Sequence, residues 1–287
     1  MISPTRWTVW LARSLPIVSG SRPRVMGIVN VTPDSFSDGG AAFDPVAAMD
    51  RAQELVDEGA DILDIGGESS RPGAEAVGLK EELRRVLRVI TAIHSLFPHI
   101  PISIDTVKPE VARQALLAGA AIVNDIAGLT DPKMMREVSK TDCGAVIMHM
   151  AGTPQTMQIH PSYTDVVEEV YDFLARQVDL AESAGIARER IALDPGIGFG
   201  KTYEHNVLLL RNLDRFANLG CVLLVGTSRK GFLKAISGRP IDQRVTASVV
   251  SSLAAVVKGA SVVRVHDVGP MVDALKVWEA VQGWDAT

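Results

Sequence analysis

One unit repeats along this chain and constrains its fold more than anything else: a helical stretch, a terminating glycine, a small or apolar residue, then a β-rich run. It appears as Glu58-Gly59-Ala60 before Ile62–Ile65 and as Ala118-Gly119-Ala120 before Ile122–Asp125. It returns as Ala184-Gly185-Ile186 before Ile191–Asp194 and as Lys258-Gly259-Ala260 before Val262–His266. Glycine accepts the left-handed backbone that ends a helix, which explains its place in each copy. Helix, glycine, strand in repetition is the pattern of βα units, which bury a parallel sheet under helices.

Strands read on this basis are Val25–Val31, Ile62–Gly66, Pro101–Asp105, Ile122–Ile126, Ala145–His149, Ile191–Asp194, Val222–Gly226 and Val262–His266. Helices are expected between them: one opening at Asp44-Pro45, one striped by Leu79, Leu83, Val86, Leu87, Ile90 and Ile93, and a long one from Thr164 to about Ala184. Eight βα units in roughly 250 residues predict an α/β fold closed as a (β/α)8 TIM barrel in a single domain. A doubly wound open sheet would carry a Gly-rich phosphate turn after its first strand, and here that strand ends Val-Asn-Val-Thr-Pro-Asp. The domain is expected over 25–287. Residues 1–24 hold Arg and Ser but no acid, as organellar transit segments do. Trp7, Val9, Leu11, Leu15 and Ile17 instead suggest a strand pair packed against one end of the barrel, the reading preferred here together with a cytoplasmic location.

The chain has 287 residues, of which 47% are hydrophobic, enough for a large core, and its 29 basic and 34 acidic residues give a net charge of −5. That balance argues against a nucleic-acid or anionic-membrane surface, and no run approaches a membrane span. Cys143 and Cys221 are too few and too far apart for a disulfide framework or thiolate metal site.

The stretch Ile191–Thr202 ends Gly200-Lys201-Thr202 and imitates a phosphate-binding loop. Such a loop needs a glycine where Pro195 stands, and proline has no N–H to offer a phosphate. The alternative is a buried strand ending in the Asp194 carboxylate, followed by glycines that let a ligand approach. In a TIM barrel the active face lies at the C-terminal strand ends. Those ends carry Asn30, Asp105, Asn124, Asp194, Lys230, Arg264 and His266. Arg264 and His266 are two apart and share a face, with Arg264 deeper. A deep Arg requires an anion or carboxylate. The longest loops are expected after the first two strands, Thr32–Gly40 and Glu68–Ala74, and they bring Phe36 and Arg71 as lid residues. Such a mouth suits a nitrogen-rich ring carrying a phosphate ester.

Several segments resemble the dihydropteroate synthase family in its own order: Met26–Gly40, Asp64–Gly73, Leu193–Lys201, Gly226–Lys230 and Arg264-Val265-His266. The resemblance implies a TIM barrel that joins 6-hydroxymethyl-7,8-dihydropterin diphosphate to p-aminobenzoate, releases pyrophosphate, and is the target of sulfonamide inhibitors. It assigns Asp105, Asn124, Met148, Asp194 and Lys230 to the pterin. Asn30, Ser70, Arg71, Arg264 and His266 fall to the diphosphate, and Phe36, Ser70, Pro72, Phe199, Ser228 and Lys230 to p-aminobenzoate. Asp105, Lys230, Arg264 and His266 are the catalytic set, Asn30 is the protein ligand of Mg2+ arriving with the diphosphate, and a homodimer through barrel helices is implied. Chemically, Asp194 can accept the paired N–H groups of a pterin edge.

Two departures stand out: Ser69-Ser70-Arg71 where Ser-Thr-Arg is common, and Lys230-Gly231 where many members have Ser after the Lys. Both fall at the second substrate's pocket. Other readings attach to single residues. Lys230 alone could be a Schiff-base lysine, a role weakened by the absence of apolar neighbours in Ser228-Arg229-Lys230. Arg264 and His266 could be a core ion pair and a carbonyl-satisfied histidine. His149 should face the helices, and the remaining histidines lack ligand spacing. Asp64 and Glu68 read as structural. A pterin-dependent methyltransferase would share the barrel but has no use for an anion site, and a non-catalytic pterin-binding homologue would be expected to lose Asn30, Asp34, Ser70 and Arg71, all present here.

Overall fold

The structure is a computed structural model that describes residues 9–12, 15–18, 21–32 and 45–282. Phe36, Asp34, Trp7, Asp44 and most of the first loop lie outside the described residues.

A hairpin of β1 (Val9–Ala12) and β2 (Leu15–Val18) precedes eight parallel strands closed into a barrel. These are β3 (Arg24–Asn30), β4 (Ile62–Gly66), β5 (Ile102–Asp105), β6 (Ile122–Asp125), β7 (Gly144–Met148), β8 (Ile191–Asp194), β9 (Val222–Val225) and β10 (Ala260–Val265). Strand β10 pairs with both β9 and β3, which closes the ring. The helices that position the site are α1 (Pro45–Asp57), α2 (Leu79–Leu96), α3 (Pro109–Leu117), α4 (Pro132–Ser139), α5 (Val166–Ser183), α6 (Tyr203–Arg211), α7 (Leu213–Phe216), α8 (Gly231–Ser237), α9 (Val245–Val257) and α10 (Val268–Gln282). The strands match the sequence expectation to within a residue or two at each end.

The repeated glycine unit has a specific backbone cause. Gly59, Gly119, Gly185 and Gly259 have φ of +95°, +117°, +90° and +102°. After α1, Gly59 N donates to Val56 O at 3.0 Å and Ala60 N to Leu55 O at 2.9 Å. The same pair of bonds follows α3, where Ala120 N reaches Ala115 O at 2.9 Å, and α5, where Ile186 N reaches Ala181 O at 2.9 Å. Each helix end thus satisfies its last carbonyls and turns the chain directly into the next strand.

Alternation along the strands sorts side chains into two sets. Outward residues such as Val25, Leu63, Ile104, Val123, Ile147, Leu193, Val225 and Val263 form one buried cluster with the helices. Inward residues at the strand starts, Met26, Ile62, Ile122, Val146, Ala192, Val222 and Val262, form another, joined by Trp10, Ala12 and Ile17 of the hairpin. Trp10 is fully buried, its ring lies against Gly144, and its Nε1 donates to Arg190 O at 3.1 Å. The hairpin therefore plugs the end of the barrel opposite the strand C-termini.

Cys143 and Cys221 are buried free thiols. Among the described residues, no helix is long and apolar enough to cross a membrane. Among the described residues a long connection spans 149–165, between β7 and α5, and exceeds that after β4; the loop expected after the first strand lies mostly outside them. Its polar residues close on α5 through Asp165, whose carboxylate accepts from Val167 N at 2.9 Å and Glu168 N at 3.2 Å. That cap sets the helix start two residues past Thr164.

Candidate active site

Above the apolar plug the barrel interior turns polar. Asp64, Ser103, Asn124, Asp194 and Arg264 occupy inward positions on β4, β5, β6, β8 and β10, one alternation above Ile62, Ile122, Ala192 and Val262. Arg264 Nε donates to Asp64 Oδ2 at 2.6 Å, and Nη2 donates to Asp105 Oδ2 at 2.8 Å. Asn124 Nδ2 completes the chain with Asp64 Oδ2 at 3.3 Å. Asp64 is fully buried, which a carboxylate tolerates only with such partners. Nη1 of Arg264 has no hydrogen bond among the described residues. The core ion pair and the ligand-binding arginine, posed as alternatives by the sequence, are compatible in one residue: two carboxylates hold the guanidinium and leave an edge for a ligand.

Asp105 sits at the end of β5 beside this arginine. Burial pushes its carboxyl upward, Arg264 opposes the shift, and the nearby Asp64, Glu82 and Asp125 carboxylates reinforce it.

Across the mouth, Asp194 is buried at the end of β8 and accepts from Gly196 N at 2.7 Å through Oδ1. Burial raises its carboxyl, opposed by Lys230, the Gly196 bond and Lys201. The glycines that follow answer to packing: a Cβ on Gly196, φ +69°, would lie 1.8 Å from the carbonyl oxygen of His149. Phe199, from the same loop, joins Ile126, Met148, Met157 and Met150 in a small apolar cluster at the mouth. This is a flat wall beside a carboxylate, the surface a planar heterocycle needs.

Lys230 Nζ hangs 4.3 Å over the centroid of the Phe199 ring and donates to Ile197 O. Burial pushes its pKa down to about 8, while Asp194 pulls it back up. The sequence argument that Lys230 lacks apolar neighbours fails, because Phe199 arrives from the preceding βα unit. A lysine bonded to a carbonyl over an aromatic ring is nevertheless held for contact with a ligand face.

Ser228 Oγ lies 3.1 Å from both the backbone N and Nδ1 of His266. Burial, then Arg264 and Arg229, drive the His266 pKa down to about 3. The imidazole is therefore neutral, and its part in anion recognition is that of a hydrogen-bond donor and not of a cation. Arg229 carries the neighbouring charge and is bound by Asp267, with Nε at 3.0 Å and Nη2 at 2.5 Å from its oxygens.

The loop after β4 leans on the loop after β7: Gly73 N donates to Pro154 O at 3.1 Å, and Gln155 Nε2 to Ala74 O at 3.2 Å. Ser70 is half-buried, whereas Arg71 and Pro72 are exposed. Arg71, Pro72, Ser69 and Thr32 face a cavity of about 660 Å³. Arg71 is near enough for its charge to lower the His266 pKa. Asn30 is half-buried at the end of β3, in register with Gly66.

Two residues escaped the sequence reading of the site. Asp64, which reads as structural from the sequence, is the innermost partner of Arg264. The usable signal was alternation, which places Asp64 inward. Lys201 closes the Leu193–Lys201 segment, in which the sequence gives the lysine itself no role. It is buried, with Nζ 2.9 Å from His149 Nδ1, 3.0 Å from Phe199 O and 3.3 Å from His149 O. Burial lowers its pKa to about 7. His149 faces the helices as expected, edge-on to Phe173 at 5.0 Å.

This geometry agrees with what comparison finds. Residues 26–266 match the model of the pterin binding enzyme family. The dihydropteroate synthase of a Synechocystis strain is 48% identical over 264 residues, covering 91% of either chain. The chain belongs to the dihydropteroate synthase family. Among solved members, the Xanthomonas albilineans enzyme with 4-aminobenzoic acid has a TM-score of 0.90 at 47% identity, covering 96% of this chain and 99% of its own. The Thermus thermophilus enzyme in complex with 6HMPPP has a TM-score of 0.82 at 44% identity, again covering 96% and 99%. The relatives share the barrel fold described above.

Proposed function

We infer that this barrel performs the synthase reaction of its family in folate biosynthesis, joining 6-hydroxymethyl-7,8-dihydropterin diphosphate to p-aminobenzoate to give 7,8-dihydropteroate and pyrophosphate. The observation that carries the reading is the meeting, in one mouth, of an apolar wall beside a buried carboxylate with an anion edge. The wall and its polar groups are Met148 and Phe199 with Asp194, Asn124 and Lys230. The edge consists of Arg264 Nη1, the neutral His266, Asn30 and the loop bearing Ser70 and Arg71. The ligands bound to the Xanthomonas and Thermus relatives have the chemistry of the two substrates and support the assignment. A sulfonamide complex of the Yersinia pestis enzyme, 41% identical with a TM-score of 0.90, supports sulfonamides as inhibitors at the acceptor site.

The mechanism we favour is dissociative. Asp194 accepts N–H groups of the pterin edge, and Lys230 and Asn124 fix the ring so that its methylene faces the Arg264 side. Diphosphate leaves with the C–O bonding pair, and its growing charge is met by Arg264 and by N–H donation from His266. The Asp105 carboxylate, when ionised, supplies negative potential to the ring-stabilised cation left behind. The aniline nitrogen of p-aminobenzoate then attacks the methylene and loses a proton, with Phe199, Ser228 and Pro72 lining its approach.

Asn30 offers one neutral oxygen, and the described residues contain no cluster of three or more His, Cys, Asp or Glu able to hold a metal. That donor set fits Mg2+ arriving on the diphosphate, with substrate oxygens and water as its main ligands. When bound, the ion would neutralise leaving-group charge. Exposed apolar residues on α8, α9 and α10, among them Ile236, Val250, Val257 and Val277, support a homodimer through barrel helices. A cytoplasmic location accords with two unpaired thiols.

Purified protein with Mg2+ should release pyrophosphate only when dihydropterin diphosphate and p-aminobenzoate are supplied together. Pterin binding without a condensed product would refute the synthase reading in favour of a binding homologue.

A further inference from the structure

The root of the Ser69–Gly73 loop is clamped by a charge cluster outside the mouth. Glu82, in the first turn of α2, is fully buried. Its Oε1 accepts from Thr106 Oγ1 at 2.6 Å, and its Oε2 accepts from Lys108 Nζ at 2.5 Å. The same Lys108 ammonium donates to Glu68, the residue immediately before the loop. Arg85 adds a bond from Nη1 to Gly67 O at 2.9 Å. Lys108 thus joins two βα units: its own position after β5, and the β4–α2 unit at two points, the strand exit through Glu68 and the helix through Glu82. Burial lowers the lysine's pKa and the two carboxylates raise it further, for a net upward shift that keeps it charged.

We propose that Glu68 and Lys108 are positioning residues for the second substrate: their ion pair sets the pose of the Ser69–Gly73 loop and so the affinity for p-aminobenzoate and sulfonamides. This rests on the synthase reading. Glu68 has side-chain exposure of 23%, so it can be altered without stranding a buried charge, whereas Glu82 at 0% cannot. Recognition of the pterin ring draws on Asp105, Asn124, Met148, Asp194 and Lys230, none of them on this loop, although Ser70 and Arg71 of the loop also serve the diphosphate. The acceptor's site draws on Ser70 and Pro72, which lie on it.

If only a fraction of molecules hold the loop in the competent pose, apparent affinity for its ligand falls by that fraction, so an unpaired loop root should weaken acceptor binding by about tenfold. The test is Glu68→Gln in the full-length protein, which leaves the Lys108–Glu82–Thr106 contacts in place. The expected result is a KM for p-aminobenzoate and a sulfonamide Kd both raised about tenfold, with the Kd of 6-hydroxymethyl-7,8-dihydropterin lacking the diphosphate changed less than about threefold and Tm within a few degrees of wild type. Lys108→Met should show the same split with a lower Tm, because Glu82 loses its counter-charge. Equal constants in Glu68→Gln and wild type, or an equal weakening of the diphosphate-free pterin, would overturn the positioning role. Failure of the synthase reading would look different, since wild type itself would then form no dihydropteroate.

Discussion

Arg264 is placed where an arginine is expensive, and its neighbours explain why it stays. Replacing it with Ala would strand Asp64 with only Asn124 and leave Asp105 unpaired. Breaking a buried pair of this kind costs about 3–5 kcal/mol, and losing a donor to the departing charge costs about 10²–10³ in rate. Arg264→Ala should therefore lower both Tm and kcat/KM, with diphosphate affinity lost, while Asp105→Ala should retain more binding than turnover. Calorimetric titration beside steady-state assays separates the two, and wild-type behaviour in both variants would unseat the site assignment. Lys230 gives a pH signature. Its pKa of about 8 lies below that of a free lysine, so its positive charge disappears as pH rises through about 8. If the ammonium holds the pterin, kcat/KM for the pterin substrate should fall above that pH, and the limb should vanish in Lys230→Met. Sequence put these residues at or just past strand ends but misjudged Lys230's surroundings, because Phe199 is distant in the chain and adjacent only once the barrel closes.

The element that shapes the site is the turn leaving β8. Three glycines there have positive φ, and Gly196 faces the His149 carbonyl so closely that no side chain fits. Gly196→Ala should destabilise by about 3 kcal/mol or more, or fold with pterin binding abolished, since both the left-handed backbone and the His149 contact oppose it. Gly231→Ala, at the start of α8 with nothing within 4 Å of the added atom, serves as the control and should stay within about 0.5 kcal/mol of wild type. Chemical denaturation of the two variants reads the difference directly. The sequence identified these glycines as permitting close approach; the structure adds that part of what approaches is the protein's own β7 exit.

At the scale of the whole molecule, the two ends of the barrel do different work. The hairpin end is sealed by Trp10, far from the chemistry at the mouth. Trp10→Ala should cost about 3–5 kcal/mol of stability and leave the turnover of folded protein unchanged at moderate temperature. A Tm drop accompanied by an equal loss of kcat would contradict that separation. Acid sensitivity also belongs to the whole fold. His149 and His266 titrate near 6.5 when unfolded and are held near 3 when folded, chiefly by burial. The unfolded chain therefore binds more protons between those values. The associated stability is present above about 6.5 and is lost as pH falls through about 3. His149→Gln should flatten the fall of Tm with pH over that window, and an unaltered slope would assign the acid sensitivity to the carboxylates.

Periodicity and helix-ending glycines determined the eight βα units, because helix caps and strand alternation are local properties that each short segment carries by itself. The same alternation put Arg264 beneath His266 and set Asn30, Asp105 and Asp194 at strand ends. Only the tertiary structure decided which of these groups meet. That Arg264 lies between Asp64 and Asp105, that Lys230 stands over Phe199, and that Lys108 ties Glu68 to Glu82 depend on barrel closure and register, which bring together residues from separate βα units. Burial then fixed their charge states, since desolvation depends on everything packed around a group and not on its neighbours in the chain.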